Sequence, residues 1–476
     1  MSTIDKVRER LARVGQDHLL RFADRLEPDQ LDALLAQIQA LDVEALPELI
    51  ELACAEHGPE PHFDDLQPAP YFPADPDDPV RPWDRGAARG RGEALIRRGG
   101  LACFVVAGGQ GTRLGFKGPK GCFPAGAVSG KPLFQIFAEQ IIAAERRYGV
   151  AIPWYVMTSP MNHEDTIAFF RERSLFGLDE ANLHFFPQGV MPSIDPTRRS
   201  LLLAAPDEVA TNPDGHGGAF RALAQSGALD DMRARGVEHI SYFQVDNPLA
   251  RIVDPAFLGL HTDPDASSAE MSSKMLPKRD PDEKVGVFCQ AAGRVRMIEY
   301  SDLPGELAGQ RLEDGSLRFK AGNPALHLLG VEFVERVNSD PELSLPFHRA
   351  SKRVTFIDSE TGERIEPDEP NAVKLERFVF DALPMAERSV VLETDRVEEF
   401  APIKNAQGSD SPESCHALQT LRAARWLEAV GVRVARTDQG EPDCTLEISP
   451  LTAAEPDDLR SIDLPEAIEP GSRVEL

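Results

Sequence analysis

Apolar residues recur at helical spacing near the start of the chain. Leu31, Leu34, Leu35, Ile38 and Leu41 fall on one face of a 3.6-residue repeat, and Pro28 stands where such a helix would begin. The first residues, MSTIDKVRERLARVG, also pattern as an amphipathic helix. Residues 1–95 are therefore expected to form a helical region with a linker. The Pro- and Asp-rich stretch from Pro59 to Arg85 has no periodicity and reads as that linker, ordered on the surface.

From Gly99 the texture changes to strands and helices in alternation. LACFVVAGG is a short apolar run ending in glycines, the pattern of a buried parallel strand meeting a loop. Helices are predicted over 133–147 and 164–173, and strands over 153–158, 183–187 and 239–245. This rhythm predicts an α/β fold with a mostly parallel sheet and helices on both faces. Ligands of such sheets bind beyond the carboxyl ends of the strands, so the loops after Ala107, Pro187 and Val245 are where chemistry is expected. Residues 285–303 hold two strand-like runs around Ala291-Ala292-Gly293 and predict an antiparallel hairpin attached to the sheet. Beyond about 388 the chain shows strand runs, one helix over 414–429 and an acidic end, read as a small carboxyl-terminal domain.

A length of 476 residues suggests two or three domains. Lys+Arg 51 against Asp+Glu 78 leaves a net charge of -27. Such a surface repels phosphate backbones, so no nucleic-acid partner is expected, and any anionic substrate requires a locally basic site. No stretch of eighteen uncharged apolar residues occurs and no apolar leader opens the chain, so neither a membrane span nor that route of secretion is expected. The six cysteines are scattered singly, which argues against structural zinc or a disulfide framework and suits the cytoplasm.

The strongest chemical signal is AGGQGTRLGFKGPKG, residues 107–121, directly after a predicted strand. Gly108, Gly109 and Gly111 let a backbone approach phosphates, and their N–H groups can form an anion-binding concavity. Arg113 and Lys120 add positive charge at the same mouth. A Walker loop is excluded because position 114, where its second glycine would fall, is Leu114 and no Lys-Ser/Thr follows. The same Leu114 excludes a Rossmann fingerprint.

The GG-x-GTRLG-x-x-x-PKG pattern resembles the eukaryotic-type UDP-sugar pyrophosphorylases, most of all their UDP-N-acetylglucosamine branch. Further blocks match in the same order: WYVMTS (154–159), FFPQGVMPS (185–193), PDGHGGAFRAL (213–223), VDN (245–247), AGN (321–323), PNAVKLERFVFD (370–381) and EEFAPIKNAQGSDSPESCHAL (398–418). The likeness spans roughly 95–420, with a weaker echo at EISPL (447–451). It implies a GT-A-like nucleotidyltransferase domain over 96–387, between the helical region 1–95 and a small α+β domain over 388–476. The implied activity joins UTP to a sugar-1-phosphate, releasing pyrophosphate, with Mg2+ as cofactor and a monomer or weak homo-oligomer as the working form. A sugar-phosphate oxygen is already anionic, so the enzyme must align two polyanions and neutralise charge rather than create a nucleophile.

The resemblance also implies residue roles. Ala107, Gly108, Gly109, Gln110, Gly111 and Thr112 would hold UTP, with Arg113, Lys120 and Lys404 as the catalytic cations. Asp246 follows the strand candidate HISYFQV; by itself it reads as a turn-capping Asp, and the resemblance makes it the metal-binding carboxylate. Gln188 would read the uracil, Gly215 would let the nucleotide lie close, and Lys374 would reach the triphosphate. Gly322 would leave room beside C2 of the sugar and Asn323 would bond it, which points to N-acetylglucosamine-1-phosphate. Lys404 would bind the sugar phosphate. Glu299 would face the sugar hydroxyls, or is an exposed hairpin residue. One departure stands out: Asp214-Gly215-His216-Gly217-Gly218 replaces the branch's D-G-N-G-G, and G-H-G is reminiscent of UDP-glucose pyrophosphorylases. His216 would bond a sugar hydroxyl or phosphate, or fill the Asn role; glucose-1-phosphate is the alternative substrate.

Two other function classes make different demands on the sequence. A non-catalytic nucleotide-sugar sensor would be free to lose Lys120, Asp246 or Lys404, and all three are present. A GT-A glycosyltransferase calls for a D-x-D motif after an apolar strand. The strings at Asp75–Asp77, Asp263–Asp265 and Asp280–Asp282 each carry proline in the middle and read as turns.

Overall fold

The computed structural model describes residues 3–55 and 65–476. The first part of the expected linker, 59–64, lies outside the described residues. The remainder is tied down: Gln67 and Pro68 pair antiparallel with Gln290 and Cys289, and the Trp83 indole N–H donates to the Pro73 carbonyl at 2.9 Å.

The chain divides into two compact units. The first gathers three separated stretches, within 1–64, 188–219 and 345–379; the second holds 65–187, 220–344 and 380–476. This corrects the expected succession of 1–95, 96–387 and 388–476. The reason is the cover that amphipathic helices need. Helices Thr3–Arg13, Pro28–Ala40 and Leu46–Cys54 bury Val7, Leu11, Leu34, Ile38 and Ile50 in one cluster with Ile194, Leu201, Leu203, Val373 and Leu375. Short strands hold those distant stretches together: Ile194 pairs with Val373, and Leu203 with Ile357. Pro28 opens its helix as the sequence predicts, inside a capping box formed by Glu27 and Gln30.

The second unit is built on an eleven-stranded sheet. Its parallel block runs His239–Gln244, Leu101–Val106, Trp154–Thr158, Leu183–Pro187 in spatial order. Leu101–Val105 are all buried, which is why that strand reads as continuous apolar sequence rather than alternating. Helix Leu133–Tyr148 covers it with Phe134, Phe137 and Ile141, and Gly149 ends the helix at φ 68°. Antiparallel strands extend the sheet from His239–Gln244 through His327–Gly330, Met271–Pro277, Ala321–Gly322 and Val287–Ala291. The predicted hairpin is present: Val287–Ala291 pairs with Arg294–Ile298 across a two-residue turn in which Ala292 and Gly293 both have positive φ.

The carboxyl-terminal stretch has its own apolar cluster, including Ala424, Leu427, Leu446, Leu459 and Ile468. It nonetheless belongs to the second unit. The Glu447 carboxylate accepts from the backbone N–H groups of Val128 and Ser129 at 2.7 and 2.8 Å and from the Ser129 hydroxyl at 2.6 Å. Among the described residues no helix is long and apolar enough to cross a membrane.

Candidate active site

The glycine-rich loop leaves the carboxyl end of the Leu101–Val106 strand, in the parallel block. Its frame is made by its own backbone. Gly111 N–H donates to Gly118 O at 3.0 Å, and Lys120 N–H donates to Gly109 O at 3.0 Å. Not every glycine here makes room for a ligand. A side chain on Gly111 would collide with Phe116, and one on Gly121 with Phe134, so those two serve packing. At Gly109 the nearest atom to an added Cβ is 3.9 Å away, on Lys120. This is the open position of the cradle.

A residue absent from the sequence reading fixes the loop. Asn162 is fully buried, and its amide donates to the carbonyls of Ala107 at 3.0 Å and Gly109 at 3.3 Å. Its own oxygen accepts from Ser159 N–H at 2.7 Å and the Ser159 hydroxyl at 3.0 Å. In a trans peptide the C=O and the following N–H point opposite ways, and no peptide here is cis. Gripping the two carbonyls therefore turns the N–H groups of Gly108 and Gln110 away from Asn162. The available signal was the Asn-His pair two residues beyond Ser-Pro at the end of a predicted strand, a common turn pattern with no chemical mark.

Asp246 lies two residues beyond the end of the His239–Gln244 strand, which is parallel to and beside the loop strand. Lys120 Nζ donates to Asp246 Oδ2 at 3.2 Å, which brings together two residues 126 positions apart in the chain. Burial pushes the Asp246 carboxyl up, but Lys120 and Lys404 outweigh it and hold the group below its ordinary value. The Asp246 carbonyl accepts from Ile403 N–H at 2.9 Å, which brings the Lys404 segment alongside. Asn247 completes the tie, donating to Glu399 O at 2.7 Å and accepting from Ala401 N–H at 2.9 Å. Underneath, the buried Lys274 ammonium donates to Asp254 at 2.7 Å and to both Glu399 oxygens at 2.7 and 2.5 Å. Arg113 is exposed in the short Thr112–Leu114 turn and makes no part of this cluster.

The AGN segment corrects one expectation. Gly322 sits in a short strand, and an added Cβ would meet the Leu276 carbonyl at 3.0 Å and Val285 at 3.1 Å. The missing side chain is thus filled by the protein, and Gly322 leaves no room for a sugar substituent. Asn323 accepts from Ala325 N–H at 2.8 Å, closing a local turn. Val287 pairs on one side with Gly322 and on the other with Ile298, so Glu299 continues from a strand two places away.

Gln188, Gly215, His216 and Lys374 belong to the first unit. Gln188 is buried, and Lys374 pairs with Glu376 at 2.7 Å. Gly215 has φ 85°, and a Cβ there would overlap the Arg377 carbonyl. His216 is packed within the first unit. Its ring stacks on Phe378 at 5.1 Å, and Nδ1 accepts from Val379 N–H at 3.1 Å. That bond assigns the proton to Nε2. Burial, helped by His348, pushes its imidazole down to about 4, so it is neutral near pH 7. The histidine therefore anchors the 377–379 segment by stacking and one backbone bond.

A strand-end loop with outward amides, joined by a partly buried cation–carboxylate pair, is equipped to hold a polyphosphate. Residues 91–423 match the family described as UTP--glucose-1-phosphate uridylyltransferase. The chain belongs to that family. It is 38% identical over 483 residues to the human UDP-N-acetylhexosamine pyrophosphorylase-like protein 1, covering 95% of this chain and 93% of that one. It is also 38% identical over 351 residues to the Saccharomyces cerevisiae UDP-N-acetylglucosamine pyrophosphorylase, covering 72% and 73% of the two chains. Among solved structures, the Trypanosoma brucei uridine diphosphate N-acetylglucosamine pyrophosphorylase aligns with a TM-score of 0.79 at 27% identity, over 97% of this chain and 95% of its own. This uridylyltransferase-family enzyme therefore has the nucleotidyltransferase fold that the loop pattern implied.

Proposed function

We propose that this enzyme transfers the uridylyl group of UTP to N-acetylglucosamine-1-phosphate, giving UDP-N-acetylglucosamine and pyrophosphate. The observation that carries the reading is the Lys120–Asp246 pair at the carboxyl edge of the parallel strands, beside the loop whose carbonyls Asn162 holds. The sugar is taken from the relatives, since those named for N-acetylglucosamine or N-acetylhexosamine share 33–38% identity over most of the chain. The UDP-glucose enzymes among the solved structures share 15–18% and speak for the fold alone.

The sugar phosphate attacks the α-phosphorus, and the bond to the pyrophosphate oxygen breaks. Lys120 stands where negative charge grows on the leaving group, and the N–H groups of Gly108 and Gln110 offer fixed donors. Lys404 draws in the sugar phosphate. In keeping with the resemblance, Gln188 is assigned to the uracil, Gly215 to close approach of the nucleotide and Lys374 to the triphosphate. Asp246 suits magnesium: it is one buried carboxylate, and the described residues hold no group of three or more His, Cys, Asp or Glu fit for an all-protein cage. Bound there with the phosphates, the ion would supply further charge screening. The six cysteines are all free, which suits a reducing compartment such as the cytoplasm.

The test is a panel of sugar-1-phosphates with UTP, read as pyrophosphate release with and without EDTA. N-acetylglucosamine-1-phosphate should lead, with activity lost in EDTA and poor use of ATP. A kcat/KM for glucose-1-phosphate equal to or above it would refute the sugar assignment.

A further inference from the structure

A cavity of about 730 Å³ opens within the second unit, between helices Arg85–Arg97, Leu133–Tyr148 and Pro412–Ala429 and the chain that follows Asn247. Lys120, Asp246 and Lys404 do not line it, so it is separate from the site described above. Its volume suits a nucleotide-sized molecule. Two of the three tryptophans, Trp83 and Trp426, lie in its wall.

The charges around it are unevenly satisfied. The wall carboxylates are engaged: Asp254 and Glu399 with Lys274, Glu398 with the Trp426 indole N–H at 2.8 Å, and Glu455 with Arg89 at 2.6 Å and Arg147 at 2.8 Å. Two wall arginines make only long hydrogen bonds, although burial of the Arg251 guanidinium is outweighed by Asp254, Glu399 and Glu455, which hold it above its ordinary value. Arg251 reaches Glu455 only at 3.5 Å and the Ala454 carbonyl at 3.3 Å. Arg422 donates to the Glu398 carbonyl at 3.4 Å and lies over the Trp426 ring at 5.0 Å. Burial, countered by Glu398 and then reinforced by Arg251, leaves the Arg422 guanidinium below its ordinary value. A guanidinium fork takes two oxyanion atoms at once, and its plane and the indole both accept a stacked ring.

We propose that this cavity binds a small molecule carrying an oxyanion, phosphate or carboxylate, next to a flat ring. Arg251 and Arg422 take the oxyanion, and Trp426 and Trp83 flank the ring. The wall is continuous with the first site, because Pro248 follows the Asp246–Asn247 pair and Glu399 holds Asn247 through its carbonyl.

Tryptophan fluorescence reads this cavity directly. The full chain is titrated with uridine monophosphate, 4-hydroxybenzoate and inorganic phosphate, the first two separating phosphate from carboxylate as the source of the oxyanion. A saturable change with at least one ring-bearing probe is expected, with inorganic phosphate about tenfold weaker or more. The change should survive Lys120→Ala, weaken about tenfold in Arg422→Lys, and disappear in the Arg251→Gln, Arg422→Gln double variant. Trp426→Phe should remove most of the signal. Absence of a saturable change up to about 10 mM of every probe, persistence in both arginine variants, or loss in Lys120→Ala would overturn the proposal.

Discussion

Two glycine-rich segments of this chain look alike in sequence and differ in one respect: only the first keeps a glycine with open surroundings. In 107–121 the backbone at Gly109 faces open space, while in 214–218 the glycines are pressed against their own chain. A Cβ on Gly215 or Gly217 would overlap residue 377, and one on Gly218 would overlap the Asp214 carboxylate. His216, between them, stacks on Phe378 and accepts from Val379 N–H through Nδ1. In the first block Gly109 keeps its surroundings open while Gly111 and Gly121 serve packing; in the second every glycine that would clash does so against its own chain. A motif match identifies both blocks, but only the atoms around the missing side chain say which kind each is.

The comparison can be broken most severely at Lys120. Lys120→Ala should lower kcat by about a hundredfold, close to 3 kcal/mol of transition-state stabilisation, with a much smaller loss of stability. A large fall in Tm with near-normal turnover would make Lys120 a structural partner of Asp246. Next come the glycines themselves. Gly215→Ala places a side chain at positive φ against a backbone oxygen and should cost about 2 kcal/mol or more of stability, visible as a lower Tm. Gly109→Ala should leave Tm within error and raise KM for UTP. Reversal of these two outcomes would invert the comparison.

Asn162 sharpens it further. Asn162→Asp keeps the acceptor for Ser159 and loses the donor to Ala107 and Gly109, so UTP affinity measured by calorimetry should fall about tenfold, roughly 1.4 kcal/mol. If Tm fell while the affinity per folded molecule held, the residue would only support the strand end. The smallest effect concerns His216. Its folded-state pKa, about 4, lies below the ordinary 6.5, so the unfolded chain takes up the proton first. Its contribution to stability is complete above pH 6.5 and is lost as pH falls from there to about 4. His239 titrates in the same direction, so the informative quantity is a difference. Urea unfolding of wild type and His216→Gln should show the variant losing less stability over that range, by on the order of 1 kcal/mol at pH 6. Parallel curves would deny the buried neutral ring.

Legibility followed the range of the interactions. Strand Leu101–Val106, helix Pro28–Ala40 and the Ala292-Gly293 hairpin were readable because each rests on local periodicity, a cap or a turn. The family likeness singled out Lys120 and Asp246 separately; their contact is seen only in the structure, since no spacing in the chain announces a meeting of residues 126 positions apart. The division into units was not readable. It depends on strands of two or three residues, such as Ile194–Asp195 and Phe356–Ile357, too short to carry a period-two pattern. Asn162 was missed because a buried amide holding carbonyls looks in sequence like any turn residue.

On the proposed reading, cations and fixed amides carry the transfer in one displacement, without a residue that bonds to the uridylyl group. Stereochemistry at phosphorus tests it directly. Using UTP made chiral by sulfur at the α-phosphorus, with N-acetylglucosamine-1-phosphate and magnesium, the configuration of the UDP-sugar product can be read by phosphorus NMR. The account predicts inversion. Retention would require two displacements through a covalent uridylyl-enzyme, and would contradict it.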